Sequence, residues 1–206
     1  MNNPCSFIPR EPKDFIGQTA KLAHLLWRKA ETVKQTPQAV KMLVIGPPGT
    51  GKTAVMDMFA SRLAGHSCQV ESINGRNVTA EQVRAWHETA CYRPLCGGYR
   101  VIIINELDLA TACAQDLLLS LLDSMPPWFA VLATSNQNLS GLAERFQTRF
   151  QQFRVASPDS MTIAGFLHHF GLNGECANIA EKSKGNVRAA LLDAQSVLDC
   201  KELEAA

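Results

Sequence analysis

Eight residues, Gly46-Pro47-Pro48-Gly49-Thr50-Gly51-Lys52-Thr53, constrain this chain more than any other stretch. They satisfy the spacing G-x-x-x-x-G-K-[ST] at every fixed position. The flanks supply the matching context. Val40-Lys41-Met42-Leu43-Val44-Ile45 reads as a buried strand, and Ala54 to Ala60 reads as a helix. In such a strand–loop–helix unit the glycines let backbone N–H groups wrap a phosphate. The helix N-terminus adds partial positive charge to the same spot. Lys52 is long enough to reach β- and γ-phosphates, and the Thr53 hydroxyl can ligate Mg²⁺.

The chain of 206 residues predicts one large domain, or one plus a small satellite. Hydrophobic residues make up 46% and charged residues 19%, which excludes a disordered chain. A net charge of +1 gives no bulk attraction for nucleic acid or for a membrane, so any such contact needs a local patch. Seven cysteines lie scattered without a disulfide-rich pattern. Met1-Asn2-Asn3-Pro4-Cys5 does not read as a signal peptide, and no apolar run is long enough to span a bilayer. Reduced thiols, no membrane contact and a cytoplasmic location are expected.

Pro4, Pro9 and Pro12 predict an extended start, followed by a helix through Leu22, Leu25, Leu26 and Trp27. Gln69 to Ile73 reads as a strand closed by the turn signal Asn74-Gly75. Thr79 to Ala90 reads as a helix with Thr79 as its N-cap. Tyr99 to Ile104 and Trp128 to Ala133 are β-branched or apolar runs suited to strands buried on both faces. Between them Ala110 to Ser124 is a predicted helix, stopped by Pro126-Pro127, and Gln151 to Val155 is the last strand. Alternating helices and buried strands predict a parallel α/β sheet. Residues 1–156 are expected to form this core, and residues 157–206 a small all-helical lid.

A phosphate loop needs a second strand that ends in acidic residues, and Val101 to Glu106 is placed for that. Glu106 is a candidate to polarise an attacking water. The preceding position, where an Asp would bind the Mg²⁺ shell, is Asn105. A neutral amide is the poorer partner for Mg²⁺ waters. Nucleotide binding is then the safer expectation, with metal affinity and turnover reduced. Asn136 ends the following strand, where it could orient water near a γ-phosphate. Arg145 and Arg149 could serve a neighbouring subunit's γ-phosphate. Arg188 lies in the first turn of a helix capped by Asn186, an unfavourable place for a cation unless an anion is its partner.

In this order the features resemble the AAA+ ATPases, and within them the clamp loaders and the related Holliday-junction motors. The resemblance implies a P-loop sheet core with a helical lid. Pro12 to Gln18, with Ile16, resembles the segment that packs on adenine. Gly46, Pro47, Pro48, Gly49, Thr50, Gly51, Lys52 and Thr53 correspond to Walker A. Asn105 and Glu106 correspond to Walker B, and the metal-facing pair is Thr53 and Asn105. Asn136 fits sensor 1 and Arg188 sensor 2. Ala114-Gln115 followed by Leu117-Leu118 resembles the clamp-loader helix after Walker B. Thr148-Arg149-Phe150 resembles the clamp-loader Ser-Arg-Cys, which favours Arg149 over Arg145 as the finger.

The resemblance further implies ATP and Mg²⁺, assembly with itself or with related subunits in a ring or helix, and action on DNA or a DNA-bound protein. Arg76, Arg84 and Arg93 are the DNA-facing candidates. It also implies either a fragment or a minimal member lacking the helical collar. Cys91 and Cys96 lie where many bacterial loader subunits carry a four-cysteine zinc insertion, but four closely spaced ligands are not there, and a zinc site would have to recruit His87 and Cys68. Two functional readings stand: an ATP-driven oligomeric switch, and a nucleotide-binding scaffold with little hydrolysis. A small-molecule kinase is weaker, for lack of an acceptor motif.

Overall fold

The structure is a computed structural model that describes residues 3–136, 139–172 and 174–204. Met1, Asn2, Ala205 and Ala206, which belong to the expected domain ranges, lie outside the described residues.

Five parallel strands form one sheet in the order β2-β3-β4-β1-β5. They are β1 (Val40–Ile45), β2 (Val70–Asn74), β3 (Arg100–Asn105), β4 (Phe129–Ser135) and β5 (Gln151–Arg154). Every residue of β4 is buried, as befits the middle strand of a sheet covered on both faces. The edge strands β2 and β5 are only partly covered.

Alternate side chains sort into two cores. On one face Met42, Val44, Val101 and Leu132 pack under α1 (Gly17–Gln35) and α2 (Lys52–Leu63). The buried stripe Leu22, Ala23, Leu26, Ala30 and Val33 explains why α1 lies on the sheet. On the other face Leu43, Ile45, Ile102 and Ile104 pack under α3 (Ala80–Ala90) and α4 (Ala112–Asp123). Thr79 caps α3, its side chain accepting from the Gln82 N–H at 3.2 Å, as the sequence predicts. The helix expected from Ala110 begins later, at Ala112. Thr111 is its N-cap, and a 3-10 turn, Leu107–Leu109, takes up the residues before it. A short helix α5 (Glu144–Gln147), which the sequence reading lacked, follows β4.

Residues beyond 157 are helical: α6 (Ser160–Leu167), α7 (Cys176–Ser183) and α8 (Val187–Glu204). Their apolar residues make a third, separate cluster, and the N-terminal segment joins it through Phe7 and Ile16. Phe7 meets Phe166 and Phe170 edge-on at 5.7 and 5.5 Å between ring centroids. Such pairs contribute about 0.5–1.5 kcal/mol each beyond area burial.

Gln115 ties α4 to the loop after β4. Its buried amide donates to Ala110 O (3.0 Å) and Gly141 O (2.6 Å) and accepts from Ala143 N (3.2 Å). Gln115→Ala strands these backbone groups. A loss of about 1–3 kcal/mol is expected in a urea melt of the variant against the wild type.

Candidate functional site

The phosphate loop, the C-terminal ends of β3 and β4, the N-terminal segment and the start of α8 meet around one cleft of about 330 Å³. That volume lies at the lower end of small-ligand pockets. Pro48 to Thr53 form its floor, Phe15 and Ile16 one wall, and Glu106, Thr134 and Asn136 the end facing the sheet. Phe7, Phe166, Val187, Arg188 and Leu191 close it from the helical side. A polar floor under apolar walls suits a ligand with a charged tail and a flat apolar body.

Two side-chain hydrogen bonds fix the loop, one from α1 and one within it. Thr19 Oγ1 donates to Thr50 O at 2.8 Å, and Thr50 Oγ1 donates to Pro47 O at 2.9 Å. Gly49 sits at φ 74° directly under the start of α8, and a Cβ there would lie 1.8 Å from Asn186 Oδ1. Only glycine satisfies both the backbone and that contact. The Val187 N–H donates to Gly49 O at 3.0 Å, so loop and helix start are joined backbone to backbone. Asn186 Oδ1 accepts from Ala189 N at 3.1 Å, the capping bond the sequence suggests.

Lys52 Nζ donates to Gly46 O (2.8 Å) and Pro47 O (2.7 Å). Burial pulls its pKa below the usual lysine range; Asp108 and Glu106 oppose that pull, and Arg188 adds to it.

Asn105 and Glu106 share a network at the end of β3. Asn105 Oδ1 accepts from Thr53 Oγ1 (3.1 Å) and Thr134 Oγ1 (3.4 Å), while Asn105 Nδ2 donates to Ser72 Oγ (3.1 Å). Glu106 has left-handed backbone, φ 54°, which turns its side chain out of the strand line. Its N–H donates to Thr134 Oγ1 at 3.1 Å, and its Oε2 accepts from Asn74 Nδ2 at 2.9 Å. Gly75 allows that approach, since a Cβ there would lie 2.2 Å from Glu106 O. Asp108 Oδ1 accepts from Asn136 N at 3.4 Å.

The donors around Thr53 suit a hard divalent cation. A hydroxyl and an amide oxygen converge there, and the Glu106 carboxylate lines the same cleft. Among the described residues, no group of three or more His, Cys, Asp or Glu side chains comes together as a metal site. Cys91 Sγ contacts His87 O instead, at 3.7 Å.

The cleft thus brings together Ile16, Pro48, Gly49, Thr50, Gly51, Lys52, Thr53, Glu106, Asn136 and Arg188. Gly46 and Pro47 reach it through their carbonyls and Asn105 through Thr53. Arg149 is not among the lining residues. Its guanidinium pairs with Asp123 at the end of α4, at 3.2 and 3.3 Å, and holds that carboxyl below its usual range. Arg145 pairs with Asp116. Arg76 and Arg84 are exposed. Arg93 lies beyond the C-terminal end of α3, stacked over Trp128 at 4.7 Å.

Asn74, Asp108, Thr134 and Asn186 join the site only in the folded structure. Asp108 follows Glu106 by two positions, a signal that was present. Asn74 and Thr134 depend on strand register, which pairs Asn74 with Asn105.

Residues 42–157 match the family model described as "ATPase family associated with various cellular activities (AAA)". Replication factor C subunit 2 of Oryza sativa subsp. japonica is 26% identical over 210 residues, covering 92% of this chain and 60% of that protein. Replication factor C subunit 3 of Saccharomyces cerevisiae is 31% identical over 170 residues, covering 75% of this chain and 49% of that protein. The chain thus spans about 60% of the length of the rice relative. Among solved structures, the Thermotoga maritima RuvB Holliday junction branch migration motor superposes with TM-score 0.75 at 20% identity, covering 97% of this chain and 67% of that one. A DNA polymerase III gamma subunit-related protein of the same organism gives TM-score 0.64 at 14% identity, over 84% of this chain and 57% of that one. These two likenesses concern the fold.

Proposed function

The chain belongs to the AAA family of ATPases, and from that premise we propose that it is a clamp-loader-like subunit. In this reading it binds ATP between its sheet core and a lid formed by α6–α8. It assembles with itself or with related subunits and acts on DNA or a DNA-bound protein. One observation carries the reading: phosphate loop, Glu106, Asn136 and Arg188 line the same cleft, although more than 130 positions separate the loop from Arg188.

The roles follow from position. Backbone N–H groups of the loop and Lys52 take the phosphates. Phe15, Ile16 and Phe7 offer the base an apolar wall. Arg188, in the first turn of α8, meets the terminal phosphate, an anion that answers its unfavourable place at a helix start. Glu106, fixed by Asn74 and Thr134, polarises the water that attacks the γ-phosphate, and Asn136 helps orient it. Mg²⁺ would be held through Thr53 and Asn105, and when bound it neutralises phosphate charge. Arg149 of a neighbour supplies positive charge to the transition state.

Asn105 sets the expected pace. An amide oxygen attracts the metal's waters less than a carboxylate does, so metal affinity and turnover should both be modest. Asn105→Asp is expected to tighten metal binding to the nucleotide complex and to raise turnover by about ten-fold or more, one charge-assisted contact being worth about 1.5 kcal/mol or more. Phosphate release at saturating ATP, titrated with Mg²⁺, measures both. Equal, brisk rates in the two proteins would reject a weakened metal site. The overall function is tested by equilibrium ATP binding and by co-purification with primed DNA.

A further inference from the structure

An asparagine at a metal-facing position has a problem that an aspartate lacks. A carboxylate presents oxygen whichever way it turns. An amide presents oxygen one way and NH₂ the other, and NH₂ repels a cation and its ligating hydroxyl. Asn105 stays useful only if its oxygen faces Thr53.

The neighbours of Asn105 make that choice. Thr134 is buried, with 2% exposure, and its Oγ1 already accepts from the Glu106 N–H at 3.1 Å. Its own proton then needs an acceptor, and Asn105 Oδ1 lies 3.4 Å away. On the opposite side, on the edge strand β2, Ser72 Oγ accepts from Asn105 Nδ2 at 3.1 Å. Thr134, with its proton left to place, selects the oxygen end, and the Ser72 hydroxyl accepts from the NH₂ end in that orientation. Rotating the amide by half a turn would take the acceptor from the Thr134 proton, force the Ser72 hydroxyl to reverse its role, and place NH₂ against the Thr53 hydroxyl, 3.1 Å from the present oxygen.

We propose that Ser72 and Thr134 are positioning residues that lock the Asn105 amide with its oxygen toward Thr53, so that a neutral side chain can serve the metal position of this site. The proposal rests on the nucleotide-site reading above. It separates these two hydroxyls from any general role in holding the strands together, because their value depends on residue 105 being an amide.

The test is a double-mutant cycle read by metal binding rather than by turnover. Mn²⁺ is titrated into the protein saturated with a non-hydrolysable ATP analogue, and free Mn²⁺ is followed by its EPR signal. Ser72→Ala is expected to weaken Mn²⁺ binding about three- to ten-fold, the effect of one hydrogen bond. Thr134→Val is expected to do the same or more. In the Asn105→Asp background Ser72→Ala should change the affinity less than about two-fold, since either carboxylate oxygen serves. Nucleotide affinity in EDTA should be unchanged by Ser72→Ala in both backgrounds. An unchanged Mn²⁺ affinity for Ser72→Ala, or an equal loss in the wild-type and Asn105→Asp backgrounds, overturns the proposal while leaving nucleotide binding intact. Failure of the wild type to bind the analogue with or without Mn²⁺ removes the underlying reading, and the proposal with it.

Discussion

Replacing Lys52 with alanine is expected to weaken ATP binding on the order of 100-fold, because two charge-assisted phosphate contacts of about 1.5 kcal/mol each disappear. In the free chain the ammonium caps Gly46 O and Pro47 O. Lys52 itself is part-exposed and lies outside the three apolar clusters, so the fold should survive its truncation. Burial lowers the pKa of Lys52, and the negative charge of a polyphosphate would oppose that shift. Titration of a fluorescent ATP analogue measures the loss, and a thermal melt checks the fold. Lys52→Arg should recover only part of the affinity, since a planar fork does not fit the space of a compact ammonium. Undiminished ATP affinity in Lys52→Ala would mean that the ligand of the cleft is not a polyphosphate.

Arg149→Ala is expected to lower turnover by about 10³-fold or more at saturating ATP while leaving ATP affinity nearly unchanged. This split follows from geometry. Arg149 is absent from the lining of its own cleft and pairs with Asp123 on the outer surface. It does not line the cleft of its own chain, and in the proposed assembly it serves the nucleotide of a neighbour. Its ion pair is exposed, so exchanging Asp123 for a γ-phosphate costs little. Arg145, paired with Asp116 and similarly exposed, provides the contrast: Arg145→Ala should change turnover only a few-fold. Comparable losses in both variants would point to a general effect on the α4–α5 surface rather than to a finger.

Much of this was legible in the residues. Val40 to Ala60 announced the strand, loop and helix, and the buried runs of β3 and β4 announced a parallel sheet. Those signals are local: a run of β-branched residues, a glycine spacing, a cap. The place of Arg188 in the first turn of α8 was also readable, from the Asn186 cap before it. What escaped was set by register and crossover. Asn74 meets Glu106 only because β2 pairs with β3 in one register. Thr134 reaches both Asn105 and Glu106 only because β4 lies beside β3, an arrangement that no sequence spacing encodes. The grip of Asn186 and Val187 on Gly49 depends on how α8 folds back over the loop. Asp108 is the exception, since the run Asn105-Glu106-Leu107-Asp108 shows it openly, one turn beyond the strand end.

The central claim is that a nucleotide held in one chain's cleft is hydrolysed with Arg149 from the next. Mixing two inactive variants tests it most directly. Glu106→Gln keeps the finger but cannot polarise water, and Arg149→Ala keeps the water-polarising carboxylate but offers no finger. Phosphate release is measured for each variant alone and for their equimolar mixture at the same total protein concentration. The account predicts that the mixture is active, recovering a substantial fraction of the wild-type rate, because intact clefts of one variant meet intact fingers of the other. A mixture no more active than the mean of the two variants alone would contradict it.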